Sequence, residues 1–279
     1  MRISVTVTGF SWPGGPAALA HHLSDVVRAA DESGIDTVWV ADHLLQADPG
    51  SNSDAEMLEA YTTLGFLAAR SERVRLGTMV SAATYRPPAL LVKAVTTLDV
   101  LSGGRAWLGV GAGYQGDEAT AMGLPLPPVA ERFDALEDLL RLARQMWAGD
   151  PAPFTGTRVR LERPVGSPLP VSRPHPPILV GGTGERRTLP LVARYADACN
   201  LFDIPDGGAT VRRKLDLLRR LCAEAGRPEA AIERTLSTRV TPEEPLPALA
   251  ERAADLGIEH LVLLSAGPWT PEAVGALRL

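Results

Sequence analysis

The chain has 279 residues, 45% of them hydrophobic, and 28 Lys+Arg against 33 Asp+Glu give a formal charge of −5. Both signs are interspersed without a basic stripe, which argues against nucleic acid as a partner, and no apolar run approaches the roughly 20 residues that span a bilayer. The N-terminus MRISVTVTGF lacks a signal-peptide pattern, and Cys199 and Cys222 form no CxxC or Cys/His cluster, so the expectation is a cytoplasmic protein without membrane contact or structural metal.

Short apolar runs alternate with longer helical patterns from end to end. Ile3–Val7 reads as the first strand, and residues from about Pro16 to Ser33 as the helix after it. Thr37–Ala41 is the second strand, and its helix is expected to open on a capping box of Ser53 and Glu56. Val74–Ser81 is the third strand, followed by a helix started by Pro87–Pro88, positions where proline is tolerated. Ala106–Val110 is the fourth. Its helix has the clearest apolar face in the chain, carrying Phe133, Leu136, Leu139, Leu140, Ala143, Met146 and Trp147. Residues 148–176 break the rhythm with Pro, Gly, Ser and Arg, and hold a hairpin signal from Phe154 to Leu161. Strands Ile178–Val180, Ala198–Phe202, Thr235–Val240 and Leu261–Ser265 then alternate with helices Glu185–Tyr195, Thr210–Ala225 and Pro247–Leu256. Thr270–Pro271, an N-cap and a proline at the first helical position, opens a last short helix. Eight strands, each followed by a helix, are the arithmetic of one (β/α)8 TIM barrel over residues 1–279, with an excursion at about residues 148–176. A doubly wound sheet usually stops nearer five or six strands.

In such a barrel the active site lies at the carboxyl ends of the strands. Four clusters fall there: Asp42–His43, Val80–Ser81–Ala82, Gly111–Ala112–Gly113–Tyr114 and Gly181–Gly182–Thr183–Gly184. His43 is the one histidine of five at such an end, placed for acid/base work or held structurally by Asp42 or by backbone. Gly111–Gly116 matches GxGxxG, but the acidic residue of a dinucleotide fingerprint would fall at Glu137, inside the strongest helix. Bare backbone there admits a flat ring instead. Gly181–Gly184 runs into a helix N-terminus, followed by Arg186 and Arg187, an arrangement that favours an anion. Asp117 and Glu118 face substrate or complement a helix dipole, and Trp39 and Trp107 read as packing. These residues call for a phosphate-bearing cofactor or a phosphorylated substrate, without choosing.

The segments VWVADH (38–43), RVRLGTMVSAATYRPPALLVKAVTTLDVLSGGRAWLGVGAGY (73–114), ERFDALEDLLRLARQMW (131–147) and RPHPPILVGGTGERRTLPLVARYADACNLF (173–202) carry a resemblance. Together they resemble the luciferase-like monooxygenase family, in the branch that uses the deazaflavin coenzyme F420. Most of residues 1–202 are covered, and residues 203–279 add only the barrel pattern. The resemblance implies a luciferase-like barrel with the deazaflavin ring across its top. Asp42 would contact the ring, and His43 would donate or accept a proton on its reactive side. Val80 and Ser81 would lie behind the ring at a bulge with a non-proline cis peptide at or beside their bond. Gly111, Ala112 and Gly113 would border the ring, and Gly181, Gly182, Thr183 and Gly184 would hold the cofactor phosphate.

Tyr114 stands where sugar-phosphate dehydrogenases of the family carry a glutamate acid. It keeps a donor there but turns the expectation away from glucose-6-phosphate. Phe10, Trp12 and Glu118 are the candidate substrate contacts, while the short lid-like stretch Gln46–Ser53 gives no substrate signature. The implied reaction is hydride transfer between the deazaflavin C5 and a small organic substrate. The alternative is an FMN-dependent monooxygenase using FMNH2 and O2 on the same scaffold, and a third reading is a non-catalytic cofactor-binding barrel. A homodimer through the apolar helices at 54–70 and 87–101 is the expected assembly.

Overall fold

Residues 1–48, 51–241 and 243–278 are described by the structure, a computed structural model. Two residues of the lid-like stretch, 49 and 50, lie outside them. Strand β1 (Arg2–Val7) lies between β2 (Thr37–Val40) and β11 (His260–Leu264), with Arg2 opposite His260 and Ser4 opposite Thr37. Beyond β2 comes β3 (Arg75–Thr78). Beyond β11 come β10 (Glu233–Thr238), β9 (Ala198–Phe202), β8 (Ile178–Gly181), β5 (Leu108–Gly111) and β4 (Ser81–Ala82), all parallel. A parallel bridge from Leu76 to Ala106 joins the two ends of this order. β3 and β4 are halves of one barrel strand, interrupted at the cis peptide Met79–Val80, one bond before Val80–Ser81. The ring therefore has the eight strand positions that the alternation predicts.

Around it stand α1 (Leu19–Ser33), α2 (Ala60–Ala68), α3 (Pro88–Leu101), α4 (Gly116–Met122) and α5 (Val129–Trp147). α6 (Thr188–Tyr195), α7 (Ala209–Glu224), α8 (Leu246–Asp255) and α9 (Pro271–Gly275) complete the shell. The main core fills the space between strands and helices. A second, smaller core lies inside the ring, where Trp39 and Trp107 meet at 5.5 Å with Leu179, Ala198 and Val262. Both faces of the parallel strands are thus covered, as their continuous apolar runs require. Trp39 Nε1 donates to Ser4 Oγ at 3.0 Å, so this buried indole is not left unpaired. No helix among the described residues is long and apolar enough to cross a membrane.

Residues 148–176 contain the hairpin β6 (Phe154–Thr155) and β7 (Arg160–Leu161). Two buried carboxylates bind this excursion to the barrel. Asp138 on α5 accepts from the N–H groups of Thr157, Arg158 and Val159, and Asp99 on α3 accepts from those of Val171 and Ser172.

Three local expectations change. α2 opens at Ala60, not at the Ser53–Glu56 capping box, because Glu59 accepts from Thr62 N–H at 2.7 Å and Glu56 instead takes the hydroxyl of Ser11. α6 starts at Thr188 and not Glu185, leaving residues 182–187 as an open loop. α4 has no counterpart in the sequence reading, since seven residues make under two turns and show no apolar period.

Candidate active site

The strand ends open into one cavity of about 800 Å³, within the range of small-molecule sites. Its floor is Met79 and Val80, which rest on the inner core of Trp39 and Trp107. Val80 packs over two adjacent glycines, on β5 and β8, the next two strands of the sheet. A Cβ on Gly111 would fall 3.0 Å from a Val80 methyl, and one on Gly181 would fall 2.9 Å away. A side chain at either position would collide with Val80, so bare backbone is what lets Val80 lie across β5 and β8 as the cavity floor.

His43 follows β2 and lines the cavity. Its Nδ1 lies 2.8 Å from Oε2 of Glu118 on α4, a residue only 4% exposed. Glu118 also accepts from the backbone N–H groups of Leu44 and Leu45 and from Tyr85 Oη at 2.9 Å. Burial by itself would raise the Glu118 carboxyl. The hydrogen bonds from His43, Leu44 and Leu45 outweigh it and hold the group below its ordinary range. An ionised carboxylate can only accept, so Nδ1 carries the proton and Nε2 is left for the cavity.

A carboxylate depressed in this way stabilises the fold above its unfolded-state value near 4.5, and that contribution disappears as pH falls through the lower folded value. Glu118→Gln should therefore melt below the parent at neutral pH and converge with it toward about pH 3. A gap in melting temperature that stays constant with pH would contradict this assignment.

Asp42, with its side chain 1% exposed, is gripped from behind the cavity. Arg86 Nη1 meets its Oδ2 and Nη2 its Oδ1, while Ser81 Oγ donates to Oδ2. Arg86 also reaches Glu59 Oε1 at 2.6 Å and lies 5.0 Å over the Tyr61 ring. The Tyr61 phenol, pushed up to about 12 by burial and then by the charge of Asp42, closes the network with a 3.2 Å contact to Ser81 Oγ.

On the opposite wall, Asn200 Nδ2 donates to Ser237 Oγ at 2.9 Å and its Oδ1 accepts from Thr235 Oγ1 at 2.8 Å. Gly182, with φ +107°, continues the lining toward Thr188 at the start of α6. Arg132 joins the lining from α5 and holds the carbonyl of Gly113 through Nη1.

The profile of the luciferase-like monooxygenase family matches residues 1–265. The chain belongs to that family. It is 33% identical over 239 residues to an F420-dependent glucose-6-phosphate dehydrogenase of Kineococcus radiotolerans, an alignment covering 81% of this chain and 66% of the relative. The chain spans between 50% and 66% of the length of the curated relatives of that name. Among solved structures, the monooxygenase RslO1 of Streptomyces bottropensis superposes with TM-score 0.81 at 21% identity, covering 99% of this chain and 95% of that one. An F420-dependent secondary alcohol dehydrogenase superposes with TM-score 0.80 at 18% identity, covering 98% and 96%. At these identities the structures establish a shared fold.

In this luciferase-like chain the cavity brings together Asp42, His43, Val80, Gly111, Ala112, Gly113, Tyr114, Gly181 and Gly182. The other expected residues stand outside the lining. Ser81 is buried and spends its hydroxyl on Asp42, whose oxygens also accept from Arg86. Thr183 and Gly184 continue the loop beyond the cavity, where Lys214 Nζ holds the Thr183 carbonyl. Phe10 and Trp12 do not line the cavity. They pack edge-on in the outer core, and Trp12 Nε1 is spent on the Trp269 carbonyl. Glu118 faces His43, not the cavity space. Arg86, Tyr85, Arg132 and Asn200 were missed. Arg86 precedes a proline pair that reads only as a helix start, although a buried aspartate at a strand end calls for a cation somewhere.

Proposed function

We propose that the chain is an F420-dependent oxidoreductase acting on a small organic substrate. The observation that carries this reading is His43, fixed from behind by Glu118, at the wall of a cavity floored by Val80 over Gly111 and Gly181. A planar tricycle would rest on the floor made by Val80, which Gly111 and Gly181 allow to lie low against their strands. Bare N–H groups of the 181–184 loop and the start of α6 would receive the cofactor's phosphate. When bound, the deazaflavin supplies a carbon that gives or takes a hydride.

The chain's own residues supply the proton traffic. Nε2 of His43, with Nδ1 fixed on Glu118, accepts the proton of a substrate hydroxyl during oxidation, or returns one to a substrate oxygen during reduction. Tyr114 stands edge-on to His43 with ring centroids 6.1 Å apart, a second hydroxyl at the same rim. Leu90 and Leu101 on α3, 57% and 74% exposed, support a homodimer through the α2–α3 side.

Titration of the purified protein with F420 and, separately, with FMN tests the cofactor. Fluorescence should report micromolar binding of F420 and much weaker binding of FMN. Preferential FMN binding would move the protein to the FMNH2/O2 monooxygenase reading, and binding of neither would overturn both.

A further inference from the structure

The charges on the cavity lining are few and unevenly placed. Asp42 is cancelled by Arg86. Arg132 is the lone arginine of the lining, next to Phe133 at the start of α5. There Arg187, from the loop before α6, lies 6.0 Å over the Phe133 ring and 3.6 Å from Asp134. The Arg132 guanidinium itself is held by the Gly113 carbonyl, across from α5.

The lining also carries a carboxylate without a counter-charge. Asp48 accepts from Thr8 Oγ1 at 2.6 Å, with its backbone N–H on Gln46 Oε1. No Lys, Arg or His lies within ion-pair distance of Asp48 among the described residues, and residues 49, 50, 242 and 279 are Pro, Gly, Pro and Leu. Glu118 adds a second negative charge behind His43. Two residues before Thr8, Thr6 also lines the cavity, buried and with its Oγ1 making no hydrogen bond. A carboxylate in a cavity that a cofactor covers loses water, and the single hydroxyl of Thr8 leaves its charge unopposed. The group that satisfies it must come with the ligand.

Resting on the F420 reading, we propose that the substrate carries a protonated nitrogen, which Asp48 pairs beside His43, and that phosphorylated or carboxylated molecules are rejected there. Like charges brought together across an interface supply this kind of selection. The chain would then differ in substrate class from its glucose-6-phosphate dehydrogenase relatives.

Three alcohols of one skeleton test the proposal on F420-loaded protein: 4-hydroxypiperidine, cyclohexanol and 4-hydroxycyclohexanecarboxylate. Binding is read by calorimetry and by the fluorescence of the bound F420. The cationic alcohol should bind about 10- to 100-fold more tightly than the neutral one, the usual worth of a charge-assisted hydrogen bond, with the anion weakest. Asp48→Asn should bring the three within about threefold of one another, and Asp48→Glu should restore the order. F420 binding and the melting temperature of each variant, near parental, certify the fold. An order unchanged by Asp48→Asn, an equal or anion-first order in the parent, or no binding of any alcohol to the loaded protein overturns the proposal. If F420 itself does not bind, the cofactor reading fails first and takes this one with it.

Discussion

Alanine in place of His43 should lower turnover about 10²- to 10⁴-fold while leaving F420 binding close to parental, the usual contribution of general acid–base catalysis. The split follows from the geometry. His43 borders the cavity and makes its one side-chain hydrogen bond backward, to Glu118, so the Val80 floor does not depend on the imidazole. Removing it takes away a proton acceptor and leaves the platform intact. Glu118→Gln should show the same split at smaller amplitude, since the ring remains but its tautomer and direction are no longer fixed. Single-turnover hydride transfer and fluorescence titration separate the two quantities. Unchanged turnover in the alanine variant would remove His43 from the mechanism, and an equal fall in binding would make it a cofactor ligand.

The second large effect concerns stability. Methionine at Arg86 should cost about 3–5 kcal/mol, the usual penalty for stranding a buried charge. Arg86 satisfies both oxygens of Asp42, whose side chain is 1% exposed, and no other cation reaches that carboxylate among the described residues. Urea unfolding measures the loss. The double variant Asp42→Asn with Arg86→Met should recover a good part of it, because the stranded charge is then gone, and it keeps the test open if the single variant fails to fold. A loss under about 1 kcal/mol in the single variant would mean that water reaches Asp42 freely.

The barrel was legible because its signal alternates: short runs such as Thr37–Val40 and Ala198–Phe202, mostly apolar and buried along their length, recur between helical patterns. The strand ends then located His43 and the glycine clusters without further help. The wiring of the site was not legible. His43 and Glu118 are 75 positions apart, Asp42 and Arg86 are 44 apart, and no spacing rule links such pairs. Glu118 also sits on α4, whose seven residues carry no apolar period to place it. Family resemblance named Asp42 and Ser81 as positions near a ring, but not that their side chains already engage each other and that Arg86 holds Asp42. Phe10 and Trp12 lie in the outer core and not in the lining, because an aromatic after a strand end packs outward as readily as inward.

The inner core of Trp39, Trp107, Leu179, Ala198 and Val262 stoppers the barrel beneath Met79 and Val80. A vessel closed at the bottom fills and empties through its mouth. A ring seated over Val80 lies deeper than anything that meets His43 and Tyr114, which is 72% exposed at the rim. Steady-state kinetics should accordingly follow a compulsory sequence: the cofactor enters first and leaves last, and the organic product departs before the spent cofactor can be exchanged.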